Sequence, residues 1–493
     1  MKIKILTDLK SKNGLLVAPL FKEDISIPPK FYPEPVRNFI KTLKKTGDIK
    51  GARGKTYATY IGKADVPKKA LVICLGEKNK MTCARARVIG AKIGKHAAAV
   101  KEKEVNVFLP VQLVAFSQEF IEGMLMSQYD IGKFKTAKSK NSKKHSLEEI
   151  NIIVARPEKS LKAAFEKAEI INEGANYVKD LINGPSNMVD SDYLSKEAKD
   201  LSRKNKYGLK IFGTRELKKE GWGALLAVNM GSGKDAKCIV LQYLGAKKRN
   251  EKPIVIVGKG IVFDSGGYNL KPANFIETMH QDKAGGCVVL GLFKILKKLA
   301  IRKNVIGIIP IAENMISAKA YRPSDVITSL SGKTIEITNT DAEGRLILAD
   351  AITYGTKFKP QYLITIATLT GAVIIALGDR FSGLMANDRV LRNNLQKAGR
   401  ETDDLGWPLP MHRDYNQKID SEIADIRNLD TSSGRKAGAS KGAAFLERFV
   451  EKNKWCHIDI GGTAFTDDPK EYESKGATSH GLQMLLRFLE NEV

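Results

Sequence analysis

The second half of the chain carries continuous apolar runs rather than alternating ones. IVIVG (Ile254–Gly258), VIGIIPI (305–311), YLITIATL (362–369) and HIDIGG (457–462) each read as strands. Between them the apolar residues recur at helical spacing, as in CVVLGLFKILKKLA (287–300) and LILADAITYGTKF (346–358). Runs of this kind, joined by helical crossovers, predict a mixed, largely parallel sheet covered by helices. In such sheets the site lies off the carboxyl ends of the strands. The first part of the chain shows the same alternation on a smaller scale. ALVICLG (70–76) and VNVFLP (105–110) read as buried strands, with a helical stretch, ARARVIGAKIGKHAAAV (84–100), between them. A long amphipathic pattern at 160–183 stops at the turn cluster NGPSN. The expected organisation is a small N-terminal α/β domain over 1–159, a connecting helix over 160–184 and a larger C-terminal α/β domain over 185–493.

Composition narrows the class. With 493 residues and 43% hydrophobic content, the chain is long enough for a large core and is neither disordered nor fibrous. Five cysteines stand apart with no C-x-x-C pair, which excludes a disulfide scaffold and fits reduced thiols. The start of the chain has lysines but no apolar signal core. The longest uncharged apolar stretch, 362–378, is short and rich in Thr and Gly, and reads as a buried strand running into a loop rather than a membrane span. These features predict a cytoplasmic protein with no membrane partner. The net charge of +26 leaves a nucleic-acid partner open, and the lysine run KFKTAKSKNSKKH (133–145) reads first as a solvated loop.

Three clusters carry the chemistry. The first is VGKGIVFDSGG (257–267), with Lys271 shortly after it. The second is MHQDKAGG (279–286) and the third NTDAEGR (339–345). Asp341 and Glu343 are two residues apart, so an extended loop would direct both to one side. Gly344 would relax the backbone before the next helix. Asp264 and Asp282 supply two further carboxylates. Four gathered carboxylates repel one another and raise each other's pKa unless cations neutralise them, and their charge matches two divalent ions. Taken singly, each motif also fits a helix cap or a turn. Other chemistries are excluded by their own motifs. MGSGKD (230–235) lacks the first glycine and the Ser/Thr of a phosphate loop, no H-E-x-x-H occurs, and Ser265 is not in G-x-S-x-G. His280 and His457 lie beside the clusters and read as rim or core histidines.

VGKGIVFDSGG with Lys271, and NTDAEGRLILADA, resemble the leucyl aminopeptidase family, the two-metal cytosolic aminopeptidases. The similarity continues through PIAENM (310–315), ATLTGA (367–372), KGAAFLERFV (441–450) and HIDIGG, from about residue 172 to the end. It implies two divalent ions, Mn²⁺ or Zn²⁺, held by Lys259, Asp264, Asp282, Asp341 and Glu343. Asp264 and Glu343 would serve both ions, Lys259 and Asp282 one, and Asp341 the other. A water bridging the ions would attack the peptide. Lys271 would polarise the scissile carbonyl, and Arg345 would hold a bicarbonate. Met279, Asn339, Thr368, Leu369 and Gly371 would contact substrate. The activity implied is removal of unblocked N-terminal residues from peptides, preferably neutral or hydrophobic ones such as Leu, by a homo-hexamer. A hydrolase for another amine-bearing amide, such as Cys-Gly, and an added DNA-binding role are the alternatives. Two departures stand out. Lys283 follows Asp282 where the family usually has Met, and would either weaken cation binding or point away. Gly461 and Ala464 are small, which predicts a roomy pocket.

Overall fold

A computed structural model describes residues 1–26, 29–61, 66–135, 147–156, 158–248, 250–432, 434, 436–469 and 471–492. Most of the lysine run at 133–145 lies outside the described residues. The chain divides into two compact units. One comprises Met1–Glu173 with Asp468–Ser474, and the other Gly174–Asp467 with Lys475–Val493. The division falls inside a single long helix, Lys159–Asn183.

The first unit is built on six strands: β1 (Lys2–Leu6), β2 (Leu15–Phe21), β3 (Thr56–Tyr60), β4 (Lys69–Gly76), β5 (Glu104–Phe108) and β6 (Glu149–Ile153). Their order is β1-β6-β5-β2-β4-β3, parallel except for β3 at one edge. β2 is buried along its whole length, as expected of an apolar strand covered on both faces. The helices Cys83–Ala99 and Ser117–Met126 enclose one fully buried ion pair. Arg87 Nη2 lies 2.6 Å from Glu122 Oε2, with side chains 1% and 0% exposed. Gln118 donates to the other Glu122 oxygen at 2.8 Å, and the Tyr472 ring covers the guanidinium at 5.5 Å.

The second unit contains β7 (Gly208–Phe212), β8 (Lys237–Leu244), β9 (Ile254–Gly258), β10 (Gly260–Asp264), β11 (Asn304–Asn314), β12 (Val326–Thr328), β13 (Thr334–Glu336), β14 (Tyr362–Ala367), β15 (Ser382–Ala386), β16 (Gly406–Pro408), β17 (Ile426–Arg427) and β18 (Trp455–Asp459). The main sheet runs β16-β15-β18-β14-β9-β11-β8-β7, with β10 paired to β11. β18, β14, β9 and β11 form a parallel centre, and antiparallel pairings of β15 and β8 begin its two margins. The expected mixed, largely parallel sheet is therefore present. A second, small sheet joins β12, β13 and β17. The main core gathers Val255, Val257, Ile308, Leu346, Ile347 and Leu363, all 0% exposed, between the sheet and the helix Glu343–Thr356.

Three local expectations are corrected. After β14 the chain does not stay in a loop, because Thr370 caps the helix Gly371–Leu377 by accepting from Val373 N at 3.2 Å. The strand expected at 457–462 is Trp455–Asp459, since Gly461 and Gly462 turn away beyond it. Asp341 and Glu343 do not share an extended loop. Asp341 stands in a turn, and Glu343 opens the helix Glu343–Thr356. Among the described residues, no helix is long and apolar enough to cross a membrane.

Candidate active site

β9 and β10 are separated by one residue, Lys259, and that break aims its side chain off the carboxyl end of the sheet. Its backbone is held on both sides. Lys259 N donates to Ile366 O at 3.1 Å, and Gly286 N donates to Lys259 O at 2.7 Å. Lys259 Nζ lies 2.8 Å from Asp282 Oδ2 and 2.8 Å from Glu343 Oε1, and donates to Thr368 O at 3.0 Å. The side chain passes directly over Gly344. A Cβ there would stand 2.5 Å from Lys259 Nζ and 2.6 Å from its Cε. Gly344 is thus required by close approach, and not by the backbone relaxation expected of it.

A second lysine repeats the arrangement. Lys271 Nζ lies 2.8 Å from Asp264 Oδ2 and 2.5 Å from Asp341 Oδ1. Asp264 ends β10, and its other oxygen accepts from Asn314 Nδ2 at 2.8 Å and Gly266 N at 2.9 Å. Asp282 sits on the tight 3-10 turn Met279–Lys283, where its Oδ1 accepts from Thr368 Oγ1 at 2.7 Å. Carboxylate oxygens of Asp264, Asp341 and Glu343 lie within 4.8 Å of one another. The four carboxylates and Lys259 and Lys271 therefore converge from five chain segments.

The charges do not balance. Four carboxylates surround two ammonium groups, which leaves two negative charges unmatched in a place where Asp264, Asp282 and Glu343 are buried and Asp341 is open to solvent. Burial and then the neighbouring Asp264 and Glu343 push the Asp341 carboxyl up to about 7. Burial raises Asp264 and Asp282 as well, with Glu343 among the charges that add to it. Glu343 is the exception: burial works against its charge, but Lys259 and Lys271 hold its pKa below the usual value. Both lysines stay above their ordinary value, because the carboxylates outweigh burial. Such crowding is costly unless cations occupy it. Hard oxygen donors plus one buried amine suit small divalent ions. Asp282 Oδ2 supports the fit, since Lys259 Nζ at 2.8 Å is the partner it faces and no other hydrogen-bond donor reaches it among the described residues.

Arg345 lies on the helix opened by Glu343 and is 4% exposed. It donates to Asn428 O at 2.8 Å, while its buried Nε has no hydrogen-bond partner among the described residues. Burial lowers its pKa to about 10, against the pull of Glu343 and Asp459. Leu369 and Thr370 are fixed by Asp459, which accepts from Leu369 N at 3.1 Å and Thr370 Oγ1 at 2.7 Å. Gly371 faces open space, and Met279 and Thr368 are half-buried. Asn339 uses its Oδ1 to accept from Asp341 N at 2.7 Å, so it braces that turn. Gly461 is small because it is closely packed. A Cβ on Gly461 would stand 2.7 Å from Thr370 O, and Ala464 is buried.

Sequence reading missed the bracing residues. Asn314, Thr340, Tyr321, Asn428 and Asp459 hold the site loops in place. Tyr321 OH donates to Thr340 O at 2.7 Å, and Thr340 Oγ1 donates to Gly266 O at 2.7 Å. PIAENM and HIDIGG contain two of these residues, so the motifs pointed to the segments without revealing the roles. Ser265 donates to Asn314 O and accepts from Gly267 N, which leaves it no nucleophilic role. His280 packs edge-on against Phe465, and His457 is wholly buried with Nδ1 2.9 Å from Thr365 Oγ1.

Fold and centre together define a class: an α/β protein with a crowded, cation-seeking carboxylate–lysine centre at the carboxyl ends of a parallel sheet. Within that class, the chain belongs to the cytosol aminopeptidase family. Residues 176–486 match the family's catalytic domain and residues 17–138 its N-terminal domain. It is similar to probable cytosol aminopeptidases of Protochlamydia amoebophila (36% identity, covering 98% of this chain and 96% of the relative) and Brucella anthropi (38%, 92% and 91%). A third, from Syntrophotalea carbinolica, is 39% identical over 90% of this chain and 89% of its own length. Family membership makes the protein a metal-dependent aminopeptidase, a metallo-exopeptidase.

Proposed function

We propose that this chain removes unblocked N-terminal residues, preferably neutral or hydrophobic ones such as Leu, with two divalent ions in its acidic centre. The observation that carries this reading is the convergence of Asp264, Asp282, Asp341 and Glu343 on two lysines with two negative charges left over. Lys259, Asp264, Asp282, Asp341 and Glu343 hold the ions. The lysines sort the carboxylates into two groups, Asp282 with Glu343 and Asp264 with Asp341, which suits two neighbouring sites. When bound, such ions supply Lewis acidity, a water acidified towards neutral pH and the positive field that lets Lys259 lose its proton.

The remaining residues bind and orient. Lys271, 15% exposed, keeps its proton and donates to the scissile carbonyl oxygen as that oxygen turns negative. Arg345, with its free buried Nε, holds a small anion such as bicarbonate. Met279, Asn339, Thr368, Leu369 and Gly371 line the place of the N-terminal residue, Asn339 through the turn it braces. The test is hydrolysis of Leu-p-nitroanilide with and without chelator. Chelation is expected to abolish it and Mn²⁺ or Zn²⁺ to restore it, whereas full activity in chelator refutes the reading. A panel of N-terminal amino-acid amides, Cys-Gly included, then separates Leu preference from the rival substrate. Sedimentation of the purified chain tests the hexamer.

A further inference from the structure

Lys283 has no part in the centre described above, yet it adjoins Asp282 and is 0% exposed. A buried ammonium is costly unless each N–H finds an acceptor. Lys283 Nζ finds three carbonyls: Gly184 O at 2.9 Å, Ile182 O at 3.4 Å and His280 O. Ile182 and Gly184 flank the last residue of the helix Lys159–Asn183. There the helix leaves carbonyls unsatisfied and its dipole is negative, so a cation is favoured. Lys283 forms no ion pair among the described residues; its hydrogen bonds go to these carbonyls rather than to Asp282.

The same helix end holds a second piece of the centre. Ser186 Oγ donates at 2.6 Å to Val262 O on β10, two residues before Asp264. Asp282 itself occupies a five-residue turn, Met279–Lys283. Its two oxygens are already set, one by Thr368 Oγ1 at 2.7 Å and the other facing Lys259 Nζ at 2.8 Å. Without Lys283 that turn loses these hydrogen bonds to the helix end.

We propose that Lys283 is a positioning residue: a buried ammonium that clamps the Asp282 turn to the end of the long helix and so sets where Asp282 stands in the cation site. This rests on the metal-centre reading above. The test titrates Mn²⁺ into the chelator-treated full chain by calorimetry. Wild type is expected to bind two equivalents. Lys283→Met should weaken one of them by about 10–100-fold, the usual cost of losing a residue that orients a ligand, and spare the other. Lys283→Arg, which keeps donors for the carbonyls, should recover most of the loss. Lys283→Gln carries the test if the Met variant fails to fold, with a smaller loss at the same ion. Equal weakening of both ions, or of neither, overturns the clamp. Asp282→Asn separates the two levels. If it weakens one ion and Lys283→Met weakens none, the clamp alone falls. If Asp282→Asn changes neither ion, the placement of metal at Asp282 falls and the clamp with it.

Discussion

Two of the regions in which this molecule buries ionised side chains do so in opposite ways. In the N-terminal unit, Glu122 meets Arg87 at 2.6 Å, Gln118 satisfies its other oxygen, and Glu119 adds to the negative field on the guanidinium. Burial alone would lower the Arg87 pKa, but Glu122 and Tyr472 hold it above its usual value. In the catalytic unit, four carboxylates share two lysines, and the Asp341 carboxyl is driven up to about 7. The first region holds its guanidinium by direct pairing. The second is electrostatically unfinished, and its deficit is of the sign and size that divalent ions remove. A buried charge that is matched serves architecture, whereas a buried deficit marks chemistry.

The largest expected effect comes from removing a carboxylate proposed to serve both ions. Asp264→Ala should lose bound metal, measured by elemental analysis after dialysis, and peptidase activity with it. Full metal stoichiometry in that variant would sink the ligand assignment. Next is the matched pair. Glu122→Ala strands a buried guanidinium and should cost about 3–5 kcal/mol in denaturant unfolding. Asp341→Asn in the chelator-treated protein should cost less than about 1 kcal/mol, because it relieves crowding instead of breaking a pair. Equal losses would erase the distinction between the two regions.

A somewhat smaller effect separates the two lysines within the centre. Lys271→Met should keep both ions and lower kcat by about 10²–10³-fold, the scale of losing one oxyanion donor. Lys259→Met should lose an ion instead. If both lose metal and neither is slower once saturated, their roles are not distinct. The smallest effect is graded with pH. Burial lowers the pKa of His457 to about 3 from 6.5, so it is neutral when folded and takes a proton only when unfolded over that range. Stability that is present above pH 6.5 should fall at up to about 1.4 kcal/mol per pH unit as the solution is acidified towards pH 3. Unfolding curves of wild type and His457→Asn between pH 4.5 and 7.5 should differ by that slope, roughly, and run parallel if His457 titrates normally.

Much of this was legible in one dimension. The runs at 254–258, 305–311 and 362–369 announced buried parallel strands because apolar residues on both faces have no other use. NTDAEGR and FDSGG announced carboxylates at strand and helix ends. Bracing was not legible. Asn314 reaches Asp264 from 50 positions away, and Asp459 reaches Leu369 from 90. A lone Asn or Asp at such a distance carries no pattern that a window along the chain can detect. Gly461 misled for the same reason: small size reads as free space until the backbone of Thr370 is placed against it.

By itself, then, the sequence determined the class of fold, the family and the residue types of the centre, because hydrophobic periodicity and short motifs are local properties. Tertiary structure alone decided which charges meet. It put Lys259 between Asp282 and Glu343, Lys271 between Asp264 and Asp341, and Lys283 on the end of a helix a hundred residues earlier. Three lysines identical in composition differ in these surroundings. The reason is physical: the energy of a buried charge depends on the few ångströms around it, and those neighbours come from segments that only folding brings together.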